Sequence, residues 1–132
     1  MNKTELEREY DRIYRAIFLS DPSRPLSFVA DDFGRPYVVI GHGYYDYLAQ
    51  ERGQIVYSER FQNADSLLFK IFYELTFERA CDLERDQRLD DQSDYRQVIF
   101  AYQLALMERA GADWYEETKR RINAILSDFP IH

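Results

Sequence analysis

Cysteine occurs once, at Cys81, and histidine twice, at His42 and His132. A single thiol closes no internal disulfide and builds no Cys-rich zinc site, which fits a reducing compartment. No apolar run approaches the roughly eighteen residues that a membrane span needs. The N-terminal Met1-Asn2-Lys3-Thr4-Glu5 leads straight into a charged amphipathic pattern without the apolar stretch of a secretory signal. A cytoplasmic chain without a membrane partner is therefore expected. Five glycines and four prolines leave no low-complexity stretch. There is also no His-x-x-x-His, no Gly-x-Ser-x-Gly, no phosphate-cradling glycine loop and no Asp-rich calcium loop, so no metal, nucleotide or other cofactor is expected.

Acidic residues outnumber basic ones, 24 to 17, for a formal charge of −7. Such a surface repels phosphate backbones, which excludes nucleic acid as a direct partner and favours a basic protein. Eleven Tyr and nine Phe offer large contact areas that suit either a core or a binding surface. At 132 residues the chain is read as one domain, 1–132.

Periodicity divides the chain into helix, strands and three further helices. Thr4 with Glu7 forms a capping box, and Leu6, Tyr10, Ile13, Tyr14, Ile17 and Phe18 recur at helical spacing up to about Ser20. Asp21-Pro22 and Arg24-Pro25 stop that helix. A short strand is expected at Ser27–Ala30, a turn at Asp31-Asp32-Phe33-Gly34 and a strand at Tyr37–Ile40. A hairpin follows. A two-residue turn at Arg52-Gly53 would set Asp46 opposite Glu59, so a three-residue Glu51-Arg52-Gly53 loop is preferred. Tyr45, Tyr47 and Ala49 then share the core face with Ile55 and Tyr57.

From a cap at Asn63 or Asp65, a strongly apolar second helix is expected to lie centrally. The third runs from about Asp94 with Tyr95, Val98, Ile99, Tyr102, Ala105 and Leu106 on one face, and stops at Gly111. The fourth opens with an Asp113/Glu116 capping box, turns Tyr115, Thr118, Ile122, Ile125 and Phe129 inward, and pairs Glu116 with Arg120 and Glu117 with Arg121 outside. The fold class is α+β: an N-terminal helix, a small antiparallel sheet with a hairpin, then three packed helices.

Little of this pattern carries chemistry. His42 is the one conventional base inside the chain, with Asp46 and Glu51 as potential orienting groups. Cys81 reads as a small core residue. From Asp82 to Asp94 the chain holds Asp82, Glu84, Asp86, Asp90, Asp91 and Asp94 against Arg85 and Arg88, a local excess of four negative charges. This connector reads as an exposed acidic ledge that could steer a basic protein. Glu51, Arg52 and Tyr44 on the hairpin are the other candidate contacts. A binding module is favoured; a small enzyme using His42 with a carboxylate and a scaffold or regulatory subunit are the alternatives.

Three motifs in order carry a family resemblance: Tyr45-x-Tyr47-x-x-x-Glu51-Arg52-Gly53, Phe72-x-x-x-Thr76-Phe77-x-x-Ala80-x-x-x-Glu84, and Asp94-Tyr95-Arg96-x-x-x-Phe100-x-x-Gln103-x-x-Leu106. From about Pro36 onward the chain resembles the immunity protein 63 family of bacterial polymorphic toxin systems. The resemblance implies a cytosolic protein that binds and neutralises a cognate toxin domain, and it implies no catalytic residues.

Overall fold

The computed structural model describes residues 1–88 and 94–131. Its first helix, α1 (Lys3–Phe18), starts from Asn2 rather than Thr4. Asn2 Oδ1 accepts the Glu5 amide at 2.8 Å, and the Glu5 carboxylate accepts the Asn2 amide at 3.0 Å. This is a reciprocal capping box two residues upstream of the expected one. Leu19 leaves the helix in a left-handed conformation (φ 58°), a common way to end one.

Strands β1 (Tyr37–Ile40), β2 (Tyr45–Glu51) and β3 (Gln54–Phe61) follow, then helices α2 (Ala64–Gln87), α3 (Arg96–Glu108) and α4 (Ala112–Asp128). The α+β class is as the sequence indicates, and the sheet is an antiparallel meander in the order β1-β2-β3. The described chain forms two compact units. The first combines Met1–Arg15 with Ser20–Lys70; the second combines Ala16–Leu19 with the chain from Ile71 on.

In the first unit, the stretch expected as a strand at Ser27–Ala30 is irregular. Ser27 keeps one backbone bond to β1, from the Val38 amide at 2.9 Å, but its hydroxyl turns to the Val29 carbonyl at 3.0 Å. A side chain that bonds its own backbone in this way competes with a ladder. Tyr10, on α1, donates to the Arg24 carbonyl at 3.4 Å and Arg15 to Asp21 at 2.8 Å, tying the proline-rich segment down. Burial, followed by the neighbouring Tyr14, pushes the Tyr10 phenol up to about 12, so it stays a donor. The core of this unit gathers Leu6, Tyr10, Ile13 and Tyr14 from α1, Val38, Tyr45, Tyr47 and Ala49 from the sheet, and Leu67, Leu68 and Phe69 from the start of α2. Asn63 caps that helix through the Ser66 amide at 2.8 Å.

The hairpin corrects the expected register. Its turn is the two-residue Arg52-Gly53, with both residues at positive φ (50° and 77°), and Glu51 pairs with Gln54. That is a twist-matched tight turn. The like-charge clash is removed elsewhere: between Ala49 and Gln50 the register shifts, so Ala49 faces Tyr57 whereas Gln50 faces Ile55. Val56 is the extra residue of a bulge. Beyond it Asp46 meets Arg60 rather than Glu59, in a forked ion pair with distances of 2.8 and 3.0 Å. The bulge also moves Ile55 off the core face, where the sequence reading placed it, and leaves it 59% exposed.

In the second unit Phe72, Thr76, Ala80 and Glu84 form one buried line along α2 at i,i+4 spacing. The Phe72 ring lies 6.0 Å from that of Trp114. The buried face of α3 is Phe100, Gln103, Leu106 and Met107; of the face expected, Leu106 is buried, Tyr95, Ile99 and Tyr102 are half-buried, and Val98 and Ala105 are exposed. A buried glutamine explains the phase error, since Gln103 reads as a surface residue. Its amide donates to the Tyr73 carbonyl at 3.0 Å and the Thr76 hydroxyl at 3.4 Å. On α4, Gly111 occupies the cap position and the Asp113/Glu116 box does not form. Trp114 takes the inward place assigned to Tyr115, and Phe129 is exposed because the helix ends at Asp128.

Candidate functional site

Two surfaces carry the residues singled out from the sequence, one in each unit. In the first unit Tyr44 and the Glu51-Arg52 tip stand at opposite ends of β2, about 24 Å apart at strand rise. Tyr44 is half-buried. Its ring lies so close over Gly41 that a Cβ there would meet ring carbons at 2.2 to 2.6 Å and the ring would have to move. The Arg60 guanidinium lies over the ring at 3.8 Å from its centroid. The same arginine grips Asp46 and holds its carboxyl below the usual range. Asp46 is thus engaged by Arg60 and does not orient His42. His42 itself is exposed, and no hydrogen bond or ion pair to it occurs among the described residues.

At the other end of β2 the Asp31–Gly34 turn is stitched to the hairpin tip. Asp31 Oδ1 accepts the amides of Phe33 (2.9 Å) and Arg35 (3.3 Å). Asp32 adopts a left-handed backbone (φ 66°), and its Oδ1 accepts the Gly53 amide at 2.6 Å and the Gln50 side-chain amide at 3.0 Å. These bonds hold its carboxyl below the usual carboxylate range, so it is charged at neutral pH. The Arg52 amide donates to the Asp32 carbonyl at 3.3 Å and the Gly34 amide to the Gln50 carbonyl at 2.8 Å. Phe33 bridges to Glu51. The ring of Phe33 is nonetheless 88% exposed, with Val29, Ile55 and Val56 also open to solvent. Sequence reasoning did not single out Phe33. The available signal was a large aromatic inside an Asp-Asp-Phe-Gly turn, where no core position is expected.

The acidic connector differs from the exposed ledge expected. Up to Gln87 it is the last turns of α2. Glu84 is only 4% exposed and is forked by Arg88 at 2.9 and 2.7 Å. Arg88 in turn stacks on the Tyr95 ring at 3.4 Å, and Tyr102 donates to Gln87 at 2.9 Å. Glu84 therefore clamps the start of α3 to the end of α2, and Arg88 holds its carboxyl below the ordinary range. Asp82 pairs with Arg85 and Asp94 with Arg96. Asp86 is exposed; Asp90 and Asp91 lie outside the described residues.

Chemical machinery is sparse. A cleft of about 390 Å³ beside Gly41, Tyr44, Tyr45 and Asn63 has no carboxylate, imidazole or thiol in its lining. Among the described residues no His, Cys, Asp and Glu side chains cluster so as to hold a metal ion, and no helix is long and apolar enough to cross a membrane. Cys81 is half-buried, and burial followed by Asp82 raises its thiol pKa, which disfavours the reactive thiolate.

The three sequence motifs lie on the hairpin, α2 and α3, and the immunity protein 63 family model matches residues 42–124, more than half of the chain. The chain belongs to the immunity protein 63 family. No curated protein and no solved structure matches it. The family match takes in β2, β3, α2, α3 and most of α4, and leaves out α1, the Asp31–Gly34 turn and β1. Within it, the motif residues of immunity protein 63 type are mostly framework. Phe72, Thr76, Ala80 and Glu84 are buried on α2, as are Phe100, Gln103 and Leu106 on α3. Arg96 ties the chain end down by donating to the Phe129 carbonyl at 2.6 Å and the Pro130 carbonyl at 3.2 Å.

Proposed function

We propose that this protein is a cytoplasmic immunity protein that neutralises a cognate toxin domain of a bacterial polymorphic toxin system by binding it, without catalysis. The observation that carries the reading is the family match across the hairpin and the three following helices. The charge of −7 suits a basic toxin domain and speeds encounter with one. Catalysis needs a base, a nucleophile or acid, and an orienting group within reach of one another. His42 stands exposed while its nearest sequence candidate, Asp46, is gripped by Arg60, which supports the binding reading over an enzyme.

Co-expression with the toxin domain encoded beside the gene tests this. The chain is expected to restore growth to cells making that domain and to co-elute with it, and His42→Ala is expected to do so equally well. A folded His42→Ala variant that no longer protects would instead support the enzyme reading.

A further inference from the structure

We infer that the platform formed by the Asp31–Gly34 turn and the β2–β3 tip is the toxin-docking surface, with Phe33 as its anchor. The inference rests on the immunity reading and adds the place and chemistry of contact. An aromatic ring left 88% exposed gains nothing for the fold. The turn that carries it is nevertheless tied down: Asp31 Oδ1 accepts the Phe33 amide, Asp32 Oδ1 accepts the Gly53 amide and the Gln50 side-chain amide, and the Gly34 amide donates to the Gln50 carbonyl. Asp32 and Arg52 both sit in the left-handed region although neither is glycine, and the Arg52 amide donates to the Asp32 carbonyl at 3.3 Å.

An exposed aromatic on a tied-down turn loses little backbone freedom on burial in a partner, a condition that favours an energetic anchor. Ile55 and Val56 are also exposed, on the edge strand β3, and the bulge at Val56 keeps that edge from simple strand pairing. The rim is acidic, with Asp31, Asp32 and Glu51 against Arg52, while Arg35 turns back to donate to the Pro25 carbonyl at 2.6 Å. The matching partner surface is an apolar slot with a basic border on the toxin domain. Phe33 also comes from outside the family-matched segment whereas its support, Gln50 to Gly53, lies inside it.

The test is binding of the purified toxin domain encoded beside the gene, measured by biolayer interferometry for the parent protein and Phe33→Ala, with melting curves for both. Phe33→Ala is expected to weaken binding about tenfold or more at an unchanged melting temperature. A loss smaller than tenfold in a normally melting variant overturns the inference while leaving the immunity reading intact. A parent protein that does not bind the toxin domain overturns that reading and this inference with it. Sedimentation of the parent protein alone gives the remaining outcome: a dimer that Phe33→Ala dissolves means that a second copy, not the toxin, occupies the platform.

Discussion

Phe72→Ala is the most demanding test of the second unit's core. The ring is fully buried, among the largest side chains that are, and sits 6.0 Å from Trp114. Truncation removes its transfer gain and leaves a cavity walled partly by helix backbone that relaxes little, a combination that costs about 3–5 kcal/mol. Domains of this kind have about 5–15 kcal/mol in all. At about 3–5 °C per kcal/mol for a chain of this size, the melting temperature should fall by about 10–20 °C. The urea midpoint should fall by about 2 M if the slope is near 2 kcal/mol/M. Ile99→Ala, at a half-buried position, should cost visibly less, although the sequence pattern ranks the two residues together. Circular dichroism melts of both variants decide the matter. A fall of less than about 3 °C for Phe72→Ala would refute the packing described for α2 and α4.

Gly34→Ala should loosen the tip: at φ +88° a left-handed alanine costs about 1–2 kcal/mol, and its Cβ would meet Glu51 Oε1 at 2.6 Å. A few degrees of lost melting temperature and faster exchange of the Gly53 amide are the expected readouts. Glu117 is held at about 2 by Arg120 and then Arg121, against an ordinary value of 4.5. Its folded-state pKa is depressed, so its stabilising contribution is present above about pH 4.5 and is lost as pH falls toward 2. The melting difference between the parent and Glu117→Gln should accordingly shrink to nothing across that window. Replacing Asp86, Asp90 and Asp91 together with Asn should slow association with the toxin domain at low salt and leave the dissociation rate and melting temperature nearly unchanged; on-rates equal to the parent's would remove the connector from steering.

The element order was legible because each segment announces its period. β1 has the bounds Tyr37–Ile40 that its β-branched run suggests, and the core tyrosines Tyr45 and Tyr47 follow from strand alternation. Errors arose where a polar group acts against its usual place. Asn2 caps α1 because its short side chain reaches the Glu5 amide before Thr4 can act. Gln103 is buried with its amide donating to Tyr73 and Thr76, far away in sequence and so invisible in a linear pattern, and Glu84 is buried with Arg88 at i,i+4, a pair whose burial the pattern does not give. The like-charge argument on the hairpin identified a real conflict between Asp46 and Glu59. The chain resolves it by a bulge at Val56 rather than by a longer loop. The Phe33 platform was the least legible feature, since the bonds that tie its turn to the hairpin join distant residues, as between Asp32 and Gln50 or Gly53.

Titration of the toxin domain's own activity with the purified protein addresses the central claim most directly. Neutralisation by binding predicts that activity falls in proportion to added protein and reaches zero near equimolar amounts, with both chains recovered chemically unchanged in one complex. Inactivation of the toxin by far less than an equimolar amount, with the toxin covalently altered, would contradict the account and show catalysis instead.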